Sequence, residues 1–257
     1  MQSGLTAEQV PLWLRCPHLL TNYRLGGTYW ICFQSLFAWH NETVNAWTMI
    51  VTNLLSFIAL CCSKCNGLNC IPFYTLWFSA LVHMPFSVGY HLFSPIDQHV
   101  FNTWKQLDIL FIFVSSCFLT FSLGFHVMPL DQNILVTTVA IILTCWYKCG
   151  GGHNIATNKM RNALLVSSIV CIYCIPIIYK CIIDKDILTI SFAHTTLLIV
   201  VSSIFGTGLL YAKSIPERWF PGAFDLFGRS HHIMHIGVMV AHMAEWYFVY
   251  SAYNEYI

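Results

Sequence analysis

Seven stretches of this sequence carry no charged side chain, or only one: 43–63, 65–96, 109–130, 132–147, 162–179, 187–212 and 230–254, the last broken only by Glu245. A membrane span needs about 20 mainly apolar residues. Backbone polar groups in lipid must also be satisfied within the segment, which selects helices. The second window is too long for one perpendicular span, so its helix is placed at 71–94, ending before Pro95. The fourth is short, and Lys148 is expected to snorkel from its end. Only 9% of the 257 residues are charged, against about 25% in soluble domains, so the chain cannot cover itself with water-facing side chains. The expected fold is an all-α, seven-transmembrane-helix bundle over 43–257. It is preceded by a cytoplasmic N-terminal segment, 1–42, in which Val10 to Leu14, Leu19, Leu20 and Tyr23 suggest a short interfacial helix. Residues 1–40 lack a basic stretch followed by an apolar core, so the first window is expected to act as an uncleaved anchor. A net charge of +1 gives no basic patch for nucleic acid.

Orientation follows from the lysines and arginines. Arg15, Arg24, Lys105, Lys148, Lys159, Arg161, Lys213, Arg218 and Arg229 fall on the side of the N-terminus, and only Lys64, Lys180 and Lys185 on the other. The N-terminus is therefore expected in the cytoplasm and the C-terminus outside. The sequon Asn41-Glu42-Thr43 would then face the cytoplasm. Trp246, Tyr247, Tyr250, Tyr253 and Tyr256 read as an outer interfacial belt.

His231 and His235 are four residues apart at the start of the last helix, so both imidazoles lie on one face. His91 ends the second helix, four residues after Ser87. In the expected topology these ends share the cytoplasmic depth, and Asp108 is placed there too, at the start of the third helix. Ionisable groups inside a bilayer are costly and point to function. Three imidazoles with a fourth position open is the pattern of a catalytic zinc site. Asp108 would orient a water, act as general base or hold a histidine. Ser87 would donate to a developing oxyanion. The alternative is that the histidines only hydrogen-bond other helices. His232 points about 100° away on the helix, and His83 reads as interhelix packing.

These residues resemble the progestin and adipoQ receptor family, which includes adiponectin receptors, membrane progestin receptors and haemolysin III-like proteins. The segment from Phe37 to Thr48, with His40, Asn41, Glu42, Asn45 and Trp47, is similar to the family's approach to its first helix. Ser87-Val-Gly-Tyr-His91 is similar to its serine–histidine motif, and Leu107-Asp108 to its helix-three aspartate. Pro216 to Gly222, Phe224-Asp225, Gly228, Ser230-His231 and His235 resemble its loop into the seventh helix. The resemblance implies zinc held by His91, His231 and His235, with Asp108 and Ser87 close to a metal-bound water. It also implies a range of partners: a steroid, a sphingolipid such as ceramide or another lipid, or an extracellular hormone. Met49, His232 and Ile109 depart from the family pattern, and none removes a proposed ligand.

Glu42 and Asn45 either brace the metal site or cap the first helix. Glu217, Arg218 and Asp225 are expected to lock the sixth loop. His242 and Glu245 are expected to pair on one helix face far from the histidines. Cys61, Cys62, Cys65 and Cys70 fall on the outer side, where disulfides persist. Three functions follow from this: a zinc-dependent lipid-amide hydrolase, a receptor with structural zinc, and, less well supported, a transporter or pore.

Overall fold

A computed structural model describes residues 1–151, 159–184 and 191–257. Lys185 and the start of the 187–212 window lie outside the described residues. Among the described residues, ten α-helices follow in chain order: α1 (Tyr29–Gln34), α2 (Thr43–Cys62), α3 (Ile71–Phe93), α4 (Gln98–Gly124), α5 (Leu130–Trp146), α6 (Lys159–Tyr173), α7 (Ile175–Ile183), α8 (Phe192–Val201), α9 (Thr207–Lys213) and α10 (Ser230–Tyr256). Among the described residues, six helical stretches are long and apolar enough to cross a membrane: Thr43–Cys62, Gly67–Phe93, Gln98–Gly124, Leu130–Cys149, Val166–Ile183 and Phe192–Lys213. The seventh window is the 27-residue α10, about 40 Å long at 1.5 Å per residue. Its four histidines and four tyrosines lower its hydropathy.

Helix α4 begins at Gln98, eleven residues before its charge-free window. The Asp97 carboxylate accepts from Val100 N at 2.8 Å and starts it. Charge-free windows find the lipid-compatible part of a helix, and a helix continues past that part wherever its polar residues meet water. Asp108 therefore lies three turns inside α4 and not at its start.

The chain divides into two compact units. The first comprises Met1–Val51, Met84–Asp108 and Ser202–Met239. Its N-terminal segment carries a two-stranded antiparallel ladder, β1 (Gln2–Leu5) with β2 (Tyr23–Leu25). Residues 10–23 form no continuous helix; single 3-10 turns occur at Ala7–Gln9 and Leu12–Leu14. Pro11 and Pro17 interrupt helical hydrogen bonding there, while Val10, Leu19 and Tyr23 pack into a small core. Two acidic groups pin the loop before α10. Asp225 accepts from Leu20 N and from Thr21 N and Oγ1. Glu217 accepts from Ser230 N at 2.7 Å and from Ser230 Oγ, capping α10. Of the three residues expected to lock this loop, Arg218 stays exposed.

Close helix approach in this unit rests on glycine, as expected where packing rather than the hydrophobic effect holds helices together. A Cβ on Gly89 of α3 would stand 2.0 Å from the Trp104 ring of α4. One on Gly237 of α10 would stand 2.4 Å from Thr207 Oγ1 and 2.8 Å from Ser203 O.

The second unit comprises Thr52–His83, Ile109–Val201 and Val240–Ile257. Its core gathers Ile109, Phe113, Ala140, Tyr147 and Ile169, with Phe113 and Tyr147 stacked at 4.4 Å. His242 Nδ1 and Glu245 Oε2 pair at 3.0 Å, and Ser56 Oγ meets both His242 Nε2 and Trp246 Nε1. Trp246 and Tyr253 are buried here, whereas Tyr247, Tyr250 and Tyr256 are exposed. Of the five residues expected in the belt, Tyr247, Tyr250 and Tyr256 face outward. The other two lie on the inner face of α10, where a 3.6-residue period puts positions seven apart together. Cys65 and Cys70 form a disulfide across a 3-10 turn, and Cys61 and Cys62 remain free thiols.

Gly89→Ala is expected to lower the melting temperature, because overpacking costs about 1–3 kcal/mol. Adding Trp104→Ala should recover much of that loss, which thermal unfolding of the purified single and double variants measures.

Candidate metal centre

The residues from Ser35 to Thr43 form a strap that leads into α2. His40 is held at both ring nitrogens: Nε2 lies 3.1 Å from Ser35 O, and Nδ1 accepts from Glu42 N at 3.1 Å. One nitrogen must donate and the other accept, which is the neutral tautomer. Burial holds the His40 pKa down, to about 3. Thr43 Oγ1 donates to Ala38 O at 2.7 Å and accepts from His40 N. These bonds place the Glu42 carboxylate at the first turn of α2. Asn41 is buried beside it, so the sequon offers no accessible acceptor.

Three side chains converge on Glu42. Arg229 Nη2 donates to Oε1 at 2.7 Å, Asn45 Nδ2 to Oε2 at 2.7 Å, and His91 Nδ1 stands 2.8 Å from Oε2. Burial alone would push the Glu42 carboxyl up, but the adjacent Arg229 guanidinium holds it well below the usual carboxylate range. The ionised carboxylate only accepts, so His91 Nδ1 carries the hydrogen and Nε2 keeps its lone pair. That Nε2 is buried and has no hydrogen-bond partner among the described residues.

His91, His231 and His235 each offer one ligand atom, all within 4.8 Å of one another. Their ring centroids are 5.1, 5.1 and 4.9 Å apart. Asn45 Nδ2 also lies 3.4 Å from His231 Nδ1. Metal–nitrogen bonds of about 2.0–2.1 Å put the ligands of one zinc ion in this range of separation. A buried, unpartnered imidazole nitrogen beside two further imidazoles, anchored from behind by a carboxylate, fits the ligand set and support that zinc takes.

The other expected site residues fall as follows. Ser87 is buried one turn before His91 on α3. Asp108 is half-buried on α4 and within electrostatic reach of Tyr90 and Tyr211. Those two rings lie 5.1 Å from His91 and 4.9 Å from His231. Glu42 and Asn45, left between bracing and capping by the sequence, contact two of the three histidines directly. His232 turns away and accepts from Gly228 N at 3.1 Å, in a turn whose φ of +84° favours glycine.

Sequence reasoning missed two arginines. Arg229 entered it only as a unit of charge, yet it is 2% exposed and neutralises Glu42. Arg24 closes the end of α3, donating to His91 O at 2.8 Å, to Leu92 O and to Ser35 Oγ. The available signal was adjacency: an arginine two residues before a ligand pair, at a helix end otherwise poor in charge, needs a buried acid.

Residues 37–246 match the haemolysin-III related family. Curated relatives include the fruit-fly (Drosophila melanogaster) adiponectin receptor protein, 29% identical over 82% of this chain and 50% of its own length. The Caenorhabditis elegans progestin and adipoQ receptor-like protein 1 is 26% identical over 95% of this chain and 59% of its own. The mouse progestin and adipoQ receptor family member 3 is 27% identical over 96% and 85%. The chain thus spans about half the length of the first two.

Glu42→Gln should destabilise the protein by about 3–5 kcal/mol, because it leaves the Arg229 charge buried without its counterion. The drop in melting temperature should exceed that of Glu42→Gln combined with Arg229→Met. A pH effect follows from His40. At neutral pH it is uncharged folded or unfolded, whereas below about 6.5 the unfolded chain takes up a proton that the folded one refuses. Stability should therefore fall as pH drops from about 6.5 towards 3, by about 1.4 kcal/mol per pH unit from this group. Unfolding of chelator-treated protein between pH 7.5 and 5 measures the slope, which His40→Gln should flatten.

Proposed function

The chain belongs to the haemolysin-III related family and is a multi-pass integral membrane protein, and on that premise we propose that it is a seven-helix receptor-type protein whose three-histidine zinc centre hydrolyses a lipid amide such as ceramide. The observation that carries this reading is the His91 imidazole, fixed through Nδ1 by Glu42 and left with Nε2 unpartnered beside His231 and His235. What supports a metal is the place of this nitrogen beside two further imidazoles, since His232 Nε2, outside the cluster, is also buried without a partner among the described residues. Three protein ligands, rather than four, distinguish catalytic from structural zinc.

His91, His231 and His235 would hold the ion. Bound zinc supplies a Lewis acid for an amide carbonyl and makes water at the site acidic, with a pKa near 7. The chain's own residues do the rest. Glu42, neutralised by Arg229, keeps His91 in the tautomer that leaves Nε2 open. Asn45 donates to Glu42 Oε2 and so fixes the carboxylate that anchors His91. Asp108 is the carboxylate that takes the proton from the attacking water. It returns that proton to the amide nitrogen, so that the C–N bond breaks to a free amine and a fatty acid. Ser87 donates to the carbonyl oxygen as charge develops there. Burial of His91, Ser87 and His235 excludes bulk water and strengthens each of these interactions.

The excess of lysine and arginine on the N-terminal side puts the N-terminus and the metal centre at the cytoplasmic face, with the C-terminus outside. The relatives' names include adiponectin and progestin receptors, so a hormone, steroid or lipid acting on this centre belongs to the same proposal.

Metal analysis of purified protein should give one zinc per chain, with a large loss in His91→Ala. Glu42→Gln should weaken zinc binding by about 10–100-fold. Ceramide incubated with the protein in detergent should release fatty acid, and His235→Ala should not release it. Absence of bound metal would end the reading outright. Zinc without turnover would leave a structural clamp.

A further inference from the structure

Helix α5 has one inward and one outward face. Asn133, Ala140 and Tyr147, seven residues apart, are buried, and Tyr147 is stacked on Phe113. Leu135, Thr138, Ile142, Cys145 and Cys149 are exposed and recur at intervals of three and four, so they form a single outward stripe. Cys145 and Cys149 each stand two residues from Tyr147, which puts both sulfurs nearly opposite the buried ring. Both are free thiols.

The stripe meets the membrane boundary at its C-terminal end. The apolar stretch Leu130–Cys149 is of membrane-crossing length and stops at Cys149. Trp146 and Lys148, both exposed, flank this last turn. An indole and a lysine that reaches for water mark the headgroup level. The turn widens into a π turn over Tyr147–Gly151, and the two glycines after Cys149 put no side chain beside its sulfur. Cys149 is thus a thiol at the headgroup level, while Cys145 lies one turn, about 6 Å, deeper.

The other exposed cysteines of the spans lack that placement. Cys171 lies within the apolar stretch Val166–Ile183, in hydrocarbon. Cys61 and Cys62 end the first span. Successive spans reverse direction, so the first and the fourth end on opposite sides of the membrane. In the orientation proposed above, Cys149 meets the cytoplasm and its long-chain acyl-coenzyme A, whereas Cys61 and Cys62 do not.

We propose that Cys149 is a site of reversible S-acylation by a long-chain fatty acyl group. Its thiolate attacks the carbonyl carbon of an acyl-coenzyme A. The new C–S bond replaces the one to coenzyme A, which leaves with the proton that Cys149 gave up. The chain then enters the bilayer along the outward stripe, which runs about 21 Å from Cys149 to Leu135. That exceeds half of the hydrocarbon core, about 15 Å. The proposal rests on the cytoplasmic orientation and not on the hydrolase reading.

The full chain would be expressed in cultured eukaryotic cells fed an alkynyl palmitate. The purified protein would be coupled to a fluorescent azide, with and without hydroxylamine, which cleaves thioesters. Wild type should carry a hydroxylamine-sensitive label, and mass spectrometry should place it on the peptide containing Cys149. Cys149→Ser should lose nearly all of that label, with zinc content, melting temperature and yield in the membrane fraction retained. Cys145→Ser should keep most of it, and Cys61→Ser combined with Cys62→Ser should keep all. An unlabelled wild type, a label that resists hydroxylamine, or one that survives Cys149→Ser would overturn the site. A label that depends on Cys61 and Cys62 instead would overturn the orientation as well. Loss in Cys149→Ser from a protein that shows no hydrolysis would keep the site and discard the enzyme.

Discussion

The Glu42 carboxylate is the constraint on which the site depends. It stands at the first turn of α2, yet its two oxygens are shared among Arg229 before α10, Asn45 on α2 and His91 on α3. A buried carboxylate is tolerated only when ionised groups and hydrogen bonds replace its hydration. Satisfying Glu42 therefore requires the first turn of α2, the last turns of α3 and the entry to α10 to come together. The three clustered histidines inherit their geometry from that requirement. The strap serves the same end: His40, held neutral between Ser35 O and Glu42 N, sets the angle at which the chain enters α2.

Two polar clusters among the described residues contain a histidine beside a glutamate, and their saturation differs. In the second unit, His242 spends Nδ1 on Glu245 and Nε2 on Ser56, and Ser56 also accepts from Trp246. Nothing on that imidazole is left to bind a ligand, so the pair acts as interhelix glue of the kind polar residues provide in lipid. His91 also spends Nδ1 on a glutamate, but its Nε2 is left without a partner. An unmade hydrogen bond on a buried nitrogen costs about 1–3 kcal/mol. The same comparison explains why Glu245, the one charge inside the last window, marks packing rather than chemistry.

Much of the architecture was legible from the seven windows, because lipid leaves the chain little choice but helix. The elements that escaped lie where water competes. Helix α4 runs eleven residues ahead of its charge-free window. Residues 10–23, with their apolar residues, form a single 3-10 turn at Leu12–Leu14 and no continuous helix, because two prolines interrupt it. Trp246 and Tyr253 were assigned to the membrane interface on residue type alone, although their phase on α10 puts them inside.

The site was legible in part, and for a physical reason. His231 and His235 declare themselves through i, i+4 spacing, and topology brings His91 to them. Asp108, expected at the start of the third long helix, lies three turns inside it. Arg229 could not be read from spacing, because its partner Glu42 is 187 residues away in sequence. No local period records a contact of that range. What does record it is electrostatics. Arg229, Arg24 and Glu42 are three charges in a chain with few, each beside a helix end. Charges kept at such places without solvent must answer one another. Read in that way, the scarce charges of a membrane protein locate its site as surely as its histidines do.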